Sequence, residues 1–133
     1  MCLFCKIING EIPSYKIYED EYTLAFLDIS QETKGHTLVL PKKHIKNIFE
    51  LDDETAIHLT NAILKTISTL KTKLNFSNIN ILNNSGELAG QTVHHLHIHL
   101  IPQHEDDHFS FNHPQKEPNF EELEKLHKIL LDK

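Results

Sequence analysis

Apolar and polar positions alternate with different periods along the chain, and each change of period marks an element. Residues 15–18 and 22–27 are short β-prone runs on either side of Glu19-Asp20-Glu21, which predicts a hairpin. Gly35 then opens His36-Thr37-Leu38-Val39-Leu40, a strand that Pro41 ends because it brings no N–H to a ladder. From Asp52 the period lengthens. Ala56, Leu59, Ile63, Ile67, Leu70 and Leu74 recur every three or four residues, which predicts one long amphipathic helix with Asp52 as its N-cap. Residues 79–82 return to strand, residues 83–90 form a polar turn, and residues 94–101 make a further strand. Two strands this close in sequence are antiparallel neighbours. Asn119 and Glu122 resemble a capping box ahead of Phe120, Leu123, Leu126 and Leu130, which predicts a short final helix. The expected fold is α+β: an antiparallel sheet of about five strands with one long helix and one short C-terminal helix. The whole of 1–133 reads as a single domain, with 104–133 as a C-terminal extension.

The strand at 94–101 carries the chemistry. In extended chain successive side chains face opposite ways, so His95, His97 and His99 share one face while Leu96, Ile98 and Leu100 share the other. Three imidazoles are costly as filler, because each desolvated ring needs partners for two nitrogens. One use for such a row is a zinc or iron site, since His-x-His on a strand brings two imidazoles to one metal; a catalytic metal would want a further His or carboxylate at the same place, and the sequence makes none evident beside the row. The preceding turn instead holds Asn83, Asn84, Ser85, Gly86, Gly90, Gln91 and Thr92, hydrogen-bonding groups mixed with glycines that let backbone approach an anion closely. Row and turn together suit attack on phosphorus: a neutral imidazole is a competent nucleophile when its other nitrogen is tied by a hydrogen bond. Neighbouring donors then neutralise the transferring phosphoryl group.

Composition narrows the partners. The chain has 133 residues, enough to bury a core without staples, and a formal charge of -6. Its lysines are scattered, so no basic stripe exists for a nucleic-acid polymer. No apolar run approaches the length of a membrane span, and Met1-Cys2-Leu3-Phe4-Cys5-Lys6 lacks the features of a signal peptide, so a cytoplasmic protein is expected. The two cysteines, Cys2 and Cys5, cannot form a disulfide framework and suggest metal or redox use. Zinc suits a Cys-x-x-Cys knuckle at a chain start better than a thioredoxin-like role does, but needs two further ligands.

His95-Leu96-His97-Ile98-His99-Leu100-Ile101 resembles the His-φ-His-φ-His-φ-φ motif of the histidine-triad superfamily, where φ is hydrophobic. Phe4-Cys5-Lys6-Ile7-Ile8, Glu11-Ile12-Pro13, Ala25-Phe26-Leu27-Asp28-Ile29 and the segment from Gly35 to His44 are similar, in order and spacing, to its bacterial Hint-like branch. The likeness spans about residues 2 to 103. It implies a homodimeric hydrolase or transferase acting at the α-phosphate of purine nucleotides, AMP or GMP conjugates such as phosphoramidates. His97 would then be the nucleophile that carries a nucleotidyl group, and His99 would contact the phosphate. Thr92 would stand near the leaving group, Asn84, Gly90 and Gln91 would form the phosphate cradle, and Asp28 with Ile29 would meet the ribose. His36 would support the triad as a fourth histidine. Without the resemblance, Asp28 reads as a surface carboxylate and His36 as a buried, partnered ring.

Relatives that keep both cysteines add His44 and the first triad histidine, His95, as zinc ligands, so the resemblance implies one structural zinc held by Cys2, Cys5, His44 and His95. The chain departs from the animal Hint pattern at Ala89 and Thr92, and Gln103 stands where many bacterial relatives have Arg, changes that bear on substrate preference. Ile101-Pro102, Asp107 and Phe109 also resemble the dinucleoside polyphosphate hydrolases of the superfamily. A nucleotide-binding scaffold is the reading from another class. His58, His94, His104, His108, His113 and His127 are expected to be solvated histidines, and Lys42 and Lys43 to face water.

Overall fold

The computed structural model describes residues 2–107 and 116–132. Five strands form one sheet: β1 (Lys16–Glu19), β2 (Thr23–Leu27), β3 (Thr37–Pro41), β4 (Asn78–Leu82) and β5 (Ile98–Gln103), in the order β1-β2-β3-β5-β4. Every neighbouring pair is antiparallel. Three α-helices accompany them among the described residues: α1 (Leu3–Ile8), α2 (Asp53–Leu74) and α3 (Phe120–Leu131). No helix among the described residues is long and apolar enough to cross a membrane.

The expected hairpin and long helix are present, and of the expected capping box the Asn119 side-chain bond is present. Asp20 closes the β1–β2 turn by accepting from the N–H groups of Tyr22 and Thr23. Asp52 caps α2 by accepting from Thr55 N at 2.7 Å, and Asn119 caps α3 by accepting from Glu122 N at 3.1 Å. The short helix α1 was not legible in the pattern, for its six residues hold less than two turns; it exists because Cys2 Sγ caps it and Phe4 and Ile7 are buried.

Both faces of the sheet are covered, which is why β2 and β3 read as nearly unbroken apolar runs. Ala25, Val39, Ile98 and Leu100 pack with Leu59, Ala62 and Leu70 of α2 on one face. Leu24, Phe26, Leu38 and Leu40 pack with Phe4 and Ile7 of α1 on the other. The register pairs Leu38 with His99 across β3 and β5, so His99 lies on the α1 face. Gly35, in the turn that delivers β3, has φ +98°, and a Cβ there would lie 2.6 Å from Leu74 Cδ1; only glycine lets this turn seat on the end of α2.

Candidate functional site

The histidine row straddles the start of a strand rather than occupying one. β5 begins at Ile98, so His95 and His97 precede both ladders, in contrast to the strand expected from residue 94. The reason is a competing partner. Leu96 N donates to Ile45 O at 2.7 Å, His95 Nε2–H donates to Pro41 O at 2.7 Å, and Gln91 Nε2 donates to Lys46 O at 2.7 Å. The segment before β5 is thereby docked on the loop after β3. Alternation survives the detour: Leu96, Ile98 and Leu100 stay in the core facing α2, and the His97 and His99 rings lie 5.1 Å apart, centroid to centroid.

His97 and His99 line a cleft of about 430 Å³. Phe4, Ile7, Ile12 and Phe26 give it an apolar lining, so α1 supplies a wall the sequence pattern did not reveal. Phe4 stands edge-on to His97 with centroids 5.0 Å apart. Asp28, Ile29, Asn84, Gly90 and Thr92 also line the cleft. His97 Nδ1–H donates to His95 O at 2.7 Å, which fixes the tautomer and leaves the lone pair on Nε2. Burial holds His97 below the usual histidine value, so it is a neutral base at neutral pH.

His36 is buried and reaches His99 from behind: His36 Nε2 and His99 Nδ1 are 2.9 Å apart. The Ser30 carbonyl lies 3.0 Å from His36 Nδ1 and marks that nitrogen as the protonated one. A longer approach of Glu32 N to the same atom, 3.4 Å, is the weaker contact. His36 Nε2 then accepts from His99 Nδ1–H. Asp28 Oδ2 lies 3.5 Å from His36 Nε2, while Asp28 Oδ1 accepts from Ser30 N at 2.8 Å. Burial, with the His97 and His36 rings adding, pushes His99 down to about 4. Gln31 braces the loop holding Asp28 and His36 by donating to both of their carbonyls and accepting from Gly35 N.

Cys2, Cys5, His44 and His95 converge on the other side of Phe4, from α1, the loop after β3 and the segment before β5. Sγ–Nδ1 distances run from 3.3 to 3.6 Å, and the two Nδ1 atoms are 3.2 Å apart. Because His95 Nε2–H is spent on Pro41 O, its Nδ1 lone pair faces the thiols. Two sulfurs and two imidazole nitrogens this close together could hold a metal ion.

Other expectations need correction. Gln91 is not among the residues lining the cleft: its amide bonds to Lys46 O, Val93 O and Gly86 N and braces the 86–93 turn. His58 is not simply solvated but stacks on Tyr22 at 3.7 Å, and His104 Nε2 bonds to Lys34 O. Lys42 is only partly exposed and pairs with Glu19, whereas Lys43 faces water as expected while pairing with Asp52. His94 and His127 are exposed as expected. His108, His113 and Phe109 lie outside the described residues. Phe4, Gln31 and Asn83 hold site residues in place and were not singled out individually, since nothing in a lone Phe, Gln or Asn marks its partner.

Residues 9–106 match the HIT domain family model. The chain is 53% identical over 107 residues to an uncharacterized HIT-like protein of Methanocaldococcus jannaschii, covering 80% of this chain and 82% of that one. It is 41% identical over 133 residues to adenosine 5'-monophosphoramidase HNT1 of Saccharomyces cerevisiae, covering 99% and 82% of the two chains. The crystal structure of SMU.412c from Streptococcus mutans superposes with a TM-score of 0.93 at 49% identity, covering 97% of this chain and 82% of that one. The family model covers most of the chain and the five-stranded antiparallel sheet superposes on that of a solved relative at 49% identity: the chain belongs to the HIT family.

Proposed function

We propose that the protein hydrolyses purine nucleoside 5'-phosphoramidates, or related AMP conjugates, through a nucleotidyl group carried on His97. The observation that carries this reading is the 2.7 Å bond from His97 Nδ1–H to His95 O, which leaves Nε2 as a free lone pair beside a nucleotide-sized, partly apolar cleft. Similarity to a yeast adenosine 5'-monophosphoramidase supports the substrate class. The base lies against Phe4, Ile7, Ile12 and Phe26, the ribose hydroxyls meet Asp28 beside Ile29, and the phosphate meets Asn84, Gly90 and His99.

In the first step the His97 Nε2 lone pair forms an N–P bond as the bond from phosphorus to the leaving amine breaks, and the amine departs, near the Thr92 hydroxyl, carrying a proton taken up from solvent that the second step returns. The cationic ring keeps its Nδ1–H on the His95 carbonyl, which stabilises the developing charge. Water then adds to phosphorus, the N–P bond breaks, and AMP and a proton are released with His97 restored. Two easier displacements replace one difficult one.

Zinc fits the sulfur and nitrogen set. With Zn–S near 2.3 Å and Zn–N near 2.05 Å, a regular tetrahedron has S···N edges of about 3.6 Å and an N···N edge of about 3.4 Å. The corresponding distances here are 3.3 to 3.6 Å and 3.2 Å. Cys2, Cys5, His44 and His95 would hold the ion, whose role is structural: it would tie α1 to the catalytic segment and neutralise two thiolates. A homodimer is part of the same reading. Ile57 and Leu64 on α2, Ile81 on the edge strand β4 and the stripe Leu123, Leu126, Leu130 on α3 are all at least half exposed, which a second copy would cover.

The test is rapid quench with a slow adenosine phosphoramidate, alongside diadenosine polyphosphates. An acid-labile adduct one AMP heavier should map to the peptide containing His97, and His97→Ala should lose turnover while still binding AMP. Near-normal turnover in that variant, or an adduct elsewhere, overturns the mechanism; AMP binding with no turnover of any substrate would instead mark a binding protein.

A further inference from the structure

We infer that Asn83 is a positioning residue for the nucleophile, holding the His97 peptide where the sheet cannot; the inference rests on His97 being the attacking group. The β4–β5 ladder ends with Leu82 opposite His99. One more antiparallel step would bring residue 84 opposite His97, but β4 has already ended and residues 83–90 turn away. His97 is also beyond the β3–β5 ladder, whose last pair joins Val39 and Ile98. Its carbonyl therefore has no strand partner, and the Asn83 side chain takes that place: Asn83 Nδ2 donates to His97 O at 3.0 Å.

The amide is oriented from behind. Ser85 Oγ accepts from Ile48 N at 3.0 Å, so its own proton goes to Asn83 Oδ1 at 2.7 Å. That fixes Nδ2 as the end facing the His97 carbonyl. A chain of three hydrogen bonds thus runs from Ile48, at the 3-10 turn after β3, to the backbone of the nucleophile. The ring is fixed by its Nδ1–H bond to His95 O, and the peptide that carries the ring is fixed by Asn83. Both are needed, because the ring bond spans only two residues and its geometry follows the intervening peptides. Leu96 N is held separately by Ile45 O, so loss of Asn83 frees the C-terminal side of this segment alone.

The experiment compares Asn83→Asp and Asn83→Ala with wild type, all zinc-loaded and checked for equal metal content. An ionised Asp sets an acceptor against the His97 carbonyl, whereas a protonated Asp restores an O–H donor of nearly the same shape. The ratio of Asn83→Asp kcat to wild-type kcat, taken at each pH, should rise at least fivefold as pH falls from 7.5 to 5.0, with the ratio of the two KM values nearly constant. Asn83→Ala should lose about tenfold or more in kcat at all pH values. A flat ratio, or losses confined to KM, overturns the inference. A second readout needs no turnover: 15N spectra should show a single protonated Nδ1 tautomer for His97 in wild type and a mixture in Asn83→Ala. Unchanged ring spectra in a folded Asn83→Ala overturn the positioning role even if the substrate is something else. Failure of wild type to turn over any nucleotide conjugate, with the ring spectra as expected, overturns the functional reading alone.

Discussion

Replacing Gln91 by Ala separates a brace from a phosphate ligand. The side chain is 5% exposed and makes three hydrogen bonds, to Lys46 O at 2.7 Å, Val93 O at 3.0 Å and from Gly86 N at 2.9 Å. Truncation orphans two carbonyls and one N–H. A buried group left unsatisfied costs about 1–3 kcal/mol, and since this turn has water on one side the low end applies, about 3 kcal/mol in all. For 133 residues, an unfolding entropy of about 2.1 cal/mol/K per residue converts that to a fall in midpoint of about 11 °C. Thermal unfolding by circular dichroism at one fixed protein concentration reads the shift, and calorimetric titration with AMP below the midpoint reads affinity. Gln91→Glu is the control, for it keeps the shape but points an acceptor at two carbonyls, and it should be no more stable than Gln91→Ala. A brace gives a large shift with AMP affinity reduced less than tenfold. A midpoint within about 3 °C of wild type, with affinity down tenfold or more, would refute the argument and restore Gln91 to the cradle.

Gly35→Ala should lower the midpoint by at least about 4 °C, because it adds roughly 1–3 kcal/mol of strain at positive φ and drives a Cβ into Leu74; an unchanged melt would contradict the close approach. His99, held near 4, is unprotonated at pH 6.5 in the free protein, and a bound phosphate anion raises its affinity for a proton. Binding of a phosphodiester of adenosine, which does not itself titrate, should therefore take up a proton and tighten as pH falls from 7.5 toward 5, measured by calorimetry in buffers of different ionisation enthalpy; zero uptake would leave His99 neutral in the complex. Truncation after Pro118 should shift a dimer toward monomer in light scattering while barely altering the far-UV signal of the remaining elements, since no described α3 residue is buried in its own chain; a full-length chain that is monomeric at micromolar concentration removes the dimer.

Local pattern was enough for those parts of the protein whose cause is local. The period of α2, its Asp52 cap and the Asn119 cap of α3 follow from neighbours in sequence, and so does the alternation that sends Leu96, Ile98 and Leu100 into the core and the imidazoles away from it. The motif from His95 to His99 was legible for the same reason, as was its family. What only the tertiary structure decided is where a side chain's hydrogen bonds go. Gln91 and Asn84 look alike as polar turn residues, yet Gln91 reaches the Lys46 carbonyl in a loop far away in the chain, while Asn84 lines the cleft. His95 and His97 are two residues apart in one motif, yet Pro41 O turns one ring toward thiols and His95 O leaves the other free for chemistry. Helix α1, too short to form on burial-free propensity, exists because the sheet offers its Phe4 and Ile7 a surface. Periodicity records which way a residue points, whereas the partner that meets it there is chosen by chain segments folded in from elsewhere.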